Sequence, residues 1–138
     1  MNKSRMHELI DSEHGEGFHK NIDLSGYNFY KGDSFISFKI LRIKGHNVAL
    51  VKYIYATKYS ELVSLLCFAS NYWIAKDVKL IYYKERSKHK YAVEKLQELG
   101  FVVKELEVEF SEWISFDRKP RKCDKPNSDK DKVYEAYV

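Results

Sequence analysis

The sequence is poor in cysteine and proline, with two of each among 138 residues. Two cysteines, Cys67 and Cys123, do not make a disulfide framework. Cys67 stands in an apolar run and Cys123 in a basic tail, so both are expected to be reduced thiols in a cytoplasmic protein. There is no run of about 18 apolar residues, so no membrane-spanning helix is expected. The opening MNKSRMHELIDSEHGEG is charged and lacks the apolar core of a secretory signal. No Gly-x-Ser-x-Gly, phosphate-binding Gly-Lys-Ser/Thr, Cys-x-x-Cys or His-Glu-x-x-His motif is present. Excess charge is lacking too. The net charge of +4 is modest, and a nucleic-acid domain usually shows a denser basic stripe.

What is present fits one soluble domain. The chain is 44% apolar, 15% aromatic and 32% charged, too apolar for a disordered chain. The expected organisation is a single α/β domain over residues 1–118. A charged tail, expected to be mobile or only loosely docked, follows over 119–138 and holds both prolines, and its closing VYEAYV is open to packing back on the body or staying free.

Along the chain, Met6 to Ile10 reads as one helical turn that Gly15 and Gly17 stop. Asp23 to Asp33 is rich in turn residues. Phe35 to Ile43 and Val48 to Ala56 read as adjacent strands, joined by a hairpin turn at Lys44 to Asn47 and therefore antiparallel. Thr57 or Ser60 is positioned to cap the next helix. That helix, Glu61 to Lys76, is apolar on most of its surface, which calls for burial. Asp77 ends it. Lys79 to Tyr83 reads as a short strand, and Ser87 to Leu99 as an amphipathic helix with Gly100 as its left-handed cap. Phe101 to Phe110 reads as a strand in which Glu105, Glu107 and Glu109 alternate with apolar residues. Trp113 to Phe116 is its candidate hairpin partner. Strands alternating with helices imply a crossover between parallel strands.

Four constellations could carry chemistry. His14 and His19 lie five apart near Glu13 and Glu16, and His7, Asp11 and His14 could share a helical face. A metal site needs three or four convergent ligands, and a solvated loop is the commoner outcome, so no metal is expected. Tyr53, Tyr55, Tyr59, Tyr72, Tyr82, Tyr83 and Tyr91 could stack bases, but packing with a hydroxyl at the surface is the commoner use. Lys84, Arg86, Lys88, His89 and Lys90 form a basic cluster at a strand-to-helix turn, able to attract an anion or to sit in solvent. Cys67 has apolar helix neighbours that disfavour a nucleophilic thiolate.

The order strand, helix, strand, helix, strand, strand, with KLIYYKERSKHKYAVEKLQELGFVVKE at its centre, resembles the GNAT N-acetyltransferase superfamily. Ala92, Leu99, Gly100 and Phe101 match the family's second helix and its exit. Trp73 matches an aromatic near the end of the first helix, and WISFDRK the style of the final strand. The resemblance covers roughly residues 46–118 and implies a mixed sheet with a reduced N-terminal part.

It also implies an acyl-CoA cofactor and an amine acceptor. By the resemblance, the pantetheine would lie along Tyr53, Ile54, Tyr55 and Ala56, with Lys58 and Ser60 at the pyrophosphate. The family's Arg/Gln-x-x-Gly-x-Gly/Ala loop departs here. Glu61 and Val63 replace both glycines, and Glu61 brings a negative charge to the phosphate position. The family's helix tyrosine falls on Leu96, with Tyr91 five residues earlier, so no catalytic residue is assigned. The alternatives are a non-catalytic GNAT-fold module that binds a protein as inhibitor or adaptor and, last, nucleic-acid binding through the basic turn and tail.

Overall fold

The structure, a computed structural model, describes residues 1–85, 91–104, 120–123 and 132–136. It is an α/β arrangement of three helices and a six-stranded mixed sheet. Helix α1 spans Lys3–His14, and a short 3-10 turn follows at Phe18–Asn21. Strands β1 (Tyr27–Lys31), β2 (Ser34–Ile43) and β3 (His46–Tyr55) form an antiparallel meander. Helix α2 (Tyr59–Ala75) leads to β4 (Leu80–Tyr83), and α3 (Tyr91–Glu98) leads to β5 (Val102–Lys104). Both of these strands run parallel to their neighbours, the expected result of helical crossovers. Strand β6 (Tyr134–Glu135) closes the opposite edge, giving the order β5-β4-β3-β2-β1-β6.

The sheet separates two main cores, and Val48, Leu80 and Tyr82 form a third, smaller cluster. On one face α2 and α3 pack together over Ile36, Phe38, Ala49, Val51 and Ile81. Trp73 lies fully buried there, edge-on to Phe38 and Phe101. On the other face α1 buries Met6, Leu9 and Ile10 against Phe35, Tyr53 and Ala136. Successive strand residues alternate between the two cores, as the pleat requires.

One register break matters. Ser37 pairs with Tyr53, but Phe38 pairs with Val51, so Lys52 is an extra residue in β3. Such a bulge re-aims the side chain it carries. It lets Lys52 reach Asp23 while Tyr53, next in sequence, packs on the same α1 side.

Several expectations change. The helical turn at Met6 to Ile10 is the middle of a twelve-residue helix, because Asn2 caps it by accepting the Arg5 amide at 2.9 Å. Gly15 ends it at φ +112°. The turn-rich stretch Asp23 to Asp33 contains β1, which forms because β2 and β6 flank it on both sides. The β2–β3 turn is the two residues Lys44 and Gly45, both at positive φ.

Neither Thr57 nor Ser60 caps α2. Lys58 holds the cap position and makes no side-chain cap bond. Asp77, at φ +58°, does end α2, and the Val78 amide donates back to the Trp73 carbonyl at 2.9 Å. Gly100 closes α3 at φ +101°.

The tail packs on the body at both of its described segments. Asn71 accepts the Cys123 amide at 2.9 Å and donates to the Cys123 carbonyl at 3.0 Å. The Ala136 amide donates to the Asn28 carbonyl at 2.7 Å, and Val133 and Ala136 are buried. Apolar burial and an open edge of β1 outweigh the tail's charge. The start of the second helix at Ser87, most of the strand to Phe110 and the hairpin partner Trp113 to Phe116 lie outside the described residues.

Candidate functional site

The six residues assigned to a cofactor lie along one stretch at the end of β3 and the start of α2. Tyr53, Ile54 and Ala56 are buried, and Lys58 and Ser60 are exposed. The ladder from β3 to β4 ends at the Val51–Tyr83 pair, while β3 itself runs on to Tyr55. Strand β4 ends at Tyr83, so β3 beyond Val51 has no β4 partner.

The helix start is a different matter. The Glu61 carboxylate accepts from Ser34 Oγ and from Thr57 Oγ1, each at 2.8 Å. Thr57 also donates its amide to Ser34 Oγ at 3.0 Å. Gly32 lies against the same carboxylate, so closely that a Cβ there would collide with it. The sequence implied repulsion of phosphate by Glu61. The fold goes further, since the carboxylate occupies the anion-favouring start of α2 itself.

A cluster of proton-bearing groups gathers at the C-terminal ends of β3 and β4. Tyr53 Oη donates to Glu13 Oε2 at 3.3 Å, and Tyr83 Oη donates to Glu85 Oε1 at 3.0 Å. Burial pushes the Tyr83 hydroxyl well above its ordinary pKa, and the Glu85 carboxylate adds to the rise, followed by Tyr53 and Glu13. His14 stacks on Phe18 and stands edge-on to Tyr53. Its Nε2 is buried with no hydrogen-bond partner among the described residues. Glu13 and His14 read as part of a solvated loop in the sequence. They reach this cluster because α1 continues through His14.

A second concentration of charge lines a cleft of about 590 Å³ between α1, the 3-10 turn, the loop Ile22 to Gly26 and β6. Asp11 is its organising residue. It accepts the His19 amide at 2.8 Å, the His19 ring Nδ1–H at 2.8 Å and the Gly17 amide at 3.2 Å. Burial alone would raise the Asp11 carboxyl, but these donors outweigh it and hold its pKa below the usual value. His7 stacks on His19 with ring centroids 4.2 Å apart. Burial lowers the pKa of His7, and the charges of His19 and Lys3 lower it further.

Across the cleft, Lys52 donates to Asp23 Oδ2 at 2.7 Å and to the Ser25 carbonyl at 3.0 Å. The Lys52 hydrogen bond, together with Ser25, holds Asp23 far below the carboxylate range. Burial lowers Lys52, a shift that Asp23 opposes and Lys39 reinforces.

The structure therefore divides the histidines. His14 goes to Tyr53, while His7 and Asp11 both meet His19. His14 and His19 do not converge on one point, and no group of three metal-capable residues occurs among the described residues. Sequence reasoning missed the Asp11–His19 and Asp23–Lys52 pairs. The His19 spacing drew attention, but Asp23 and Lys52 carried no signal beyond a turn and a strand.

The other candidates take ordinary places. Tyr82 and Tyr83 are buried and Tyr72 half-buried, whereas Tyr59 (58% exposed) and Tyr91 (55%) meet edge-on at the surface. Leu96 is fully buried. Cys67 and Cys123 are free and half-buried. Burial and the Cys67 thiol push Cys123 up to about 12. Of the basic cluster only Lys84 is among the described residues. No helix in the described residues is long and apolar enough to cross a membrane. Comparison with protein-family models, with curated proteins and with solved structures finds no match.

Proposed function

We propose that this chain is an acyl-CoA-dependent N-acyltransferase of GNAT-like design, working at the ends of β3 and β4. The observation that carries the reading is the cluster of Glu13, His14, Tyr53, Tyr83 and Glu85 at the end of the β3–β4 ladder. Ligands of α/β sheets gather outside the C-terminal ends of parallel strands. In this reading a carboxylate or His14 takes the proton of the attacking amine, and a tyrosine hydroxyl held neutral meets the departing thiolate. Positioning of amine and thioester supplies the rest. With Glu61 seated at the start of α2, the exposed Lys58 is the cation placed beside it to meet the cofactor's phosphates.

The test is the melting temperature with and without acetyl-CoA. Saturation at 100 times the dissociation constant adds about 2.7 kcal/mol, several degrees for a domain of this size. Lys58→Glu should abolish the rise. Absence of a rise at millimolar acetyl-CoA sinks the reading.

One observation favours a second reading. Glu61 is bonded by both Ser34 and Thr57, a closed arrangement that needs no cofactor. A non-catalytic module that binds a protein partner would be built this way. It predicts no response to acetyl-CoA and a defined partner in purified complexes.

A further inference from the structure

The cleft beneath α1 has no role in acyl transfer and carries a charge arrangement of its own. The Asp23 anion of its lining, and Asp11 behind the lining residue His19, are already met. Asp11 is held by His19 and two amides, and Asp23 by Lys52 at 2.7 Å and Lys39 at 3.4 Å. Glu135 borders the cleft, but it pairs with Phe29 across β1 and β6. Side chains of such a pair share one face of the sheet. Phe29 belongs to the α2 core, and the Glu135 charge is felt there by Tyr72.

The cations are not met. Lys3 and Lys20, exposed on the rim, enter no salt bridge among the described residues. Lys52, with its side chain only 10% exposed, is instead committed to Asp23. His19 commits Nδ1 to Asp11, which leaves Nε2 as the ring nitrogen able to donate when protonated. Ile22 and Leu24 are buried apolar residues of the same wall.

We propose that this cleft binds a small phosphate monoester. Lys3, Lys20 and the Nε2–H of protonated His19 hold the phosphate, and the organic part lies against Ile22 and Leu24. Charge-assisted bonds of this kind are the strong ones. A space of about 590 Å³ is in the range of small-ligand sites. Inorganic phosphate shares the charged end but has nothing to place on the apolar wall, so it binds more weakly.

The experiment follows the ring Cε1–H NMR signals of the five histidines against pH in the full chain. Phenyl phosphate and inorganic phosphate are added separately, and His7→Gln and His19→Gln assign the signals. Phenyl phosphate should raise the midpoints of His7 and His19 by about half a unit or more. It should leave unmoved His46, which lies in the hairpin at the start of β3. Inorganic phosphate should match this only at higher concentration. In a Lys3→Glu/Lys20→Glu double variant the rise should vanish with His46 unchanged, which also reports an intact fold. Equal movement of all three histidines, a rise that survives in the double variant, or equal response to the two phosphates overturns the proposal.

Discussion

The two faces of the sheet are built from different materials. The α2 face is apolar and aromatic, centred on Trp73 with Phe38 and Phe101 around it. The α1 face combines a smaller apolar core with the Asp11–His19 and Asp23–Lys52 pairs at its margin. Apolar burial is non-directional and sums over area, so the α2 face suits a stable platform. Polar groups that are partly buried or tightly hydrogen-bonded acquire shifted proton affinities. Such shifts cluster at functional sites. Asp11, His7, Asp23 and Lys52 all lie around the α1 cleft.

The largest expected effect breaks the apolar face. Trp73→Ala should cost about 3–5 kcal/mol, read as a lower midpoint in urea unfolding. The histidine titrations on the other face should be unchanged while the protein remains folded. Glu61→Ala should cost about 2 kcal/mol through loss of two bonds to a charged acceptor, by the same measurement. If the α2 start can accept a cofactor at all, that variant should also strengthen any response to acetyl-CoA.

Lys52→Met touches the α1 face instead. Asp23 keeps Lys39 and is largely exposed, so the expected loss is about 1 kcal/mol. The Asp23 carboxyl should then titrate closer to the ordinary range, observable by carbon NMR.

The smallest effect concerns pH, and it sharpens the contrast. Asp11 and Asp23 have folded-state pKa values below their unfolded ones. The folded chain therefore binds fewer protons than the unfolded chain near pH 4. Their stabilisation is present above the unfolded value, about 3.9, and is lost as pH falls towards the folded values. His7, also lowered, acts in the same direction from about pH 6.5 downward. Asp11→Asn should make the acid limb of stability against pH shallower. Trp73→Phe should leave its slope unchanged.

Much of the α2 face was legible in the sequence. FISFKILRI and VALVKYIYA gave two strands within a few residues of their observed bounds. The apolar helix Glu61 to Lys76 corresponds to α2 at Tyr59–Ala75. Less of the candidate sites was visible. Tyr53 is expected from the resemblance to lie along a cofactor, whereas the structure bonds its hydroxyl to Glu13. Glu61 was recognised as hostile to phosphate, but Ser34 as its partner was not foreseen. From sequence the segment around β6 is open to packing back or staying free, because its few apolar residues gain burial only beside β1.

The sequence by itself determined the alternation of the strands, the apolar character of α2 and the glycine that closes α3. These follow from local rules, since side-chain period and backbone freedom act within a few residues. The tertiary structure alone decided which polar groups meet. Asp23 finds Lys52 across 29 residues, Glu61 finds Ser34 across 27, and Tyr53 finds Glu13 across 40. Such pairs leave no periodic trace, because a hydrogen bond depends on direction and distance that exist only once helix and sheet have packed.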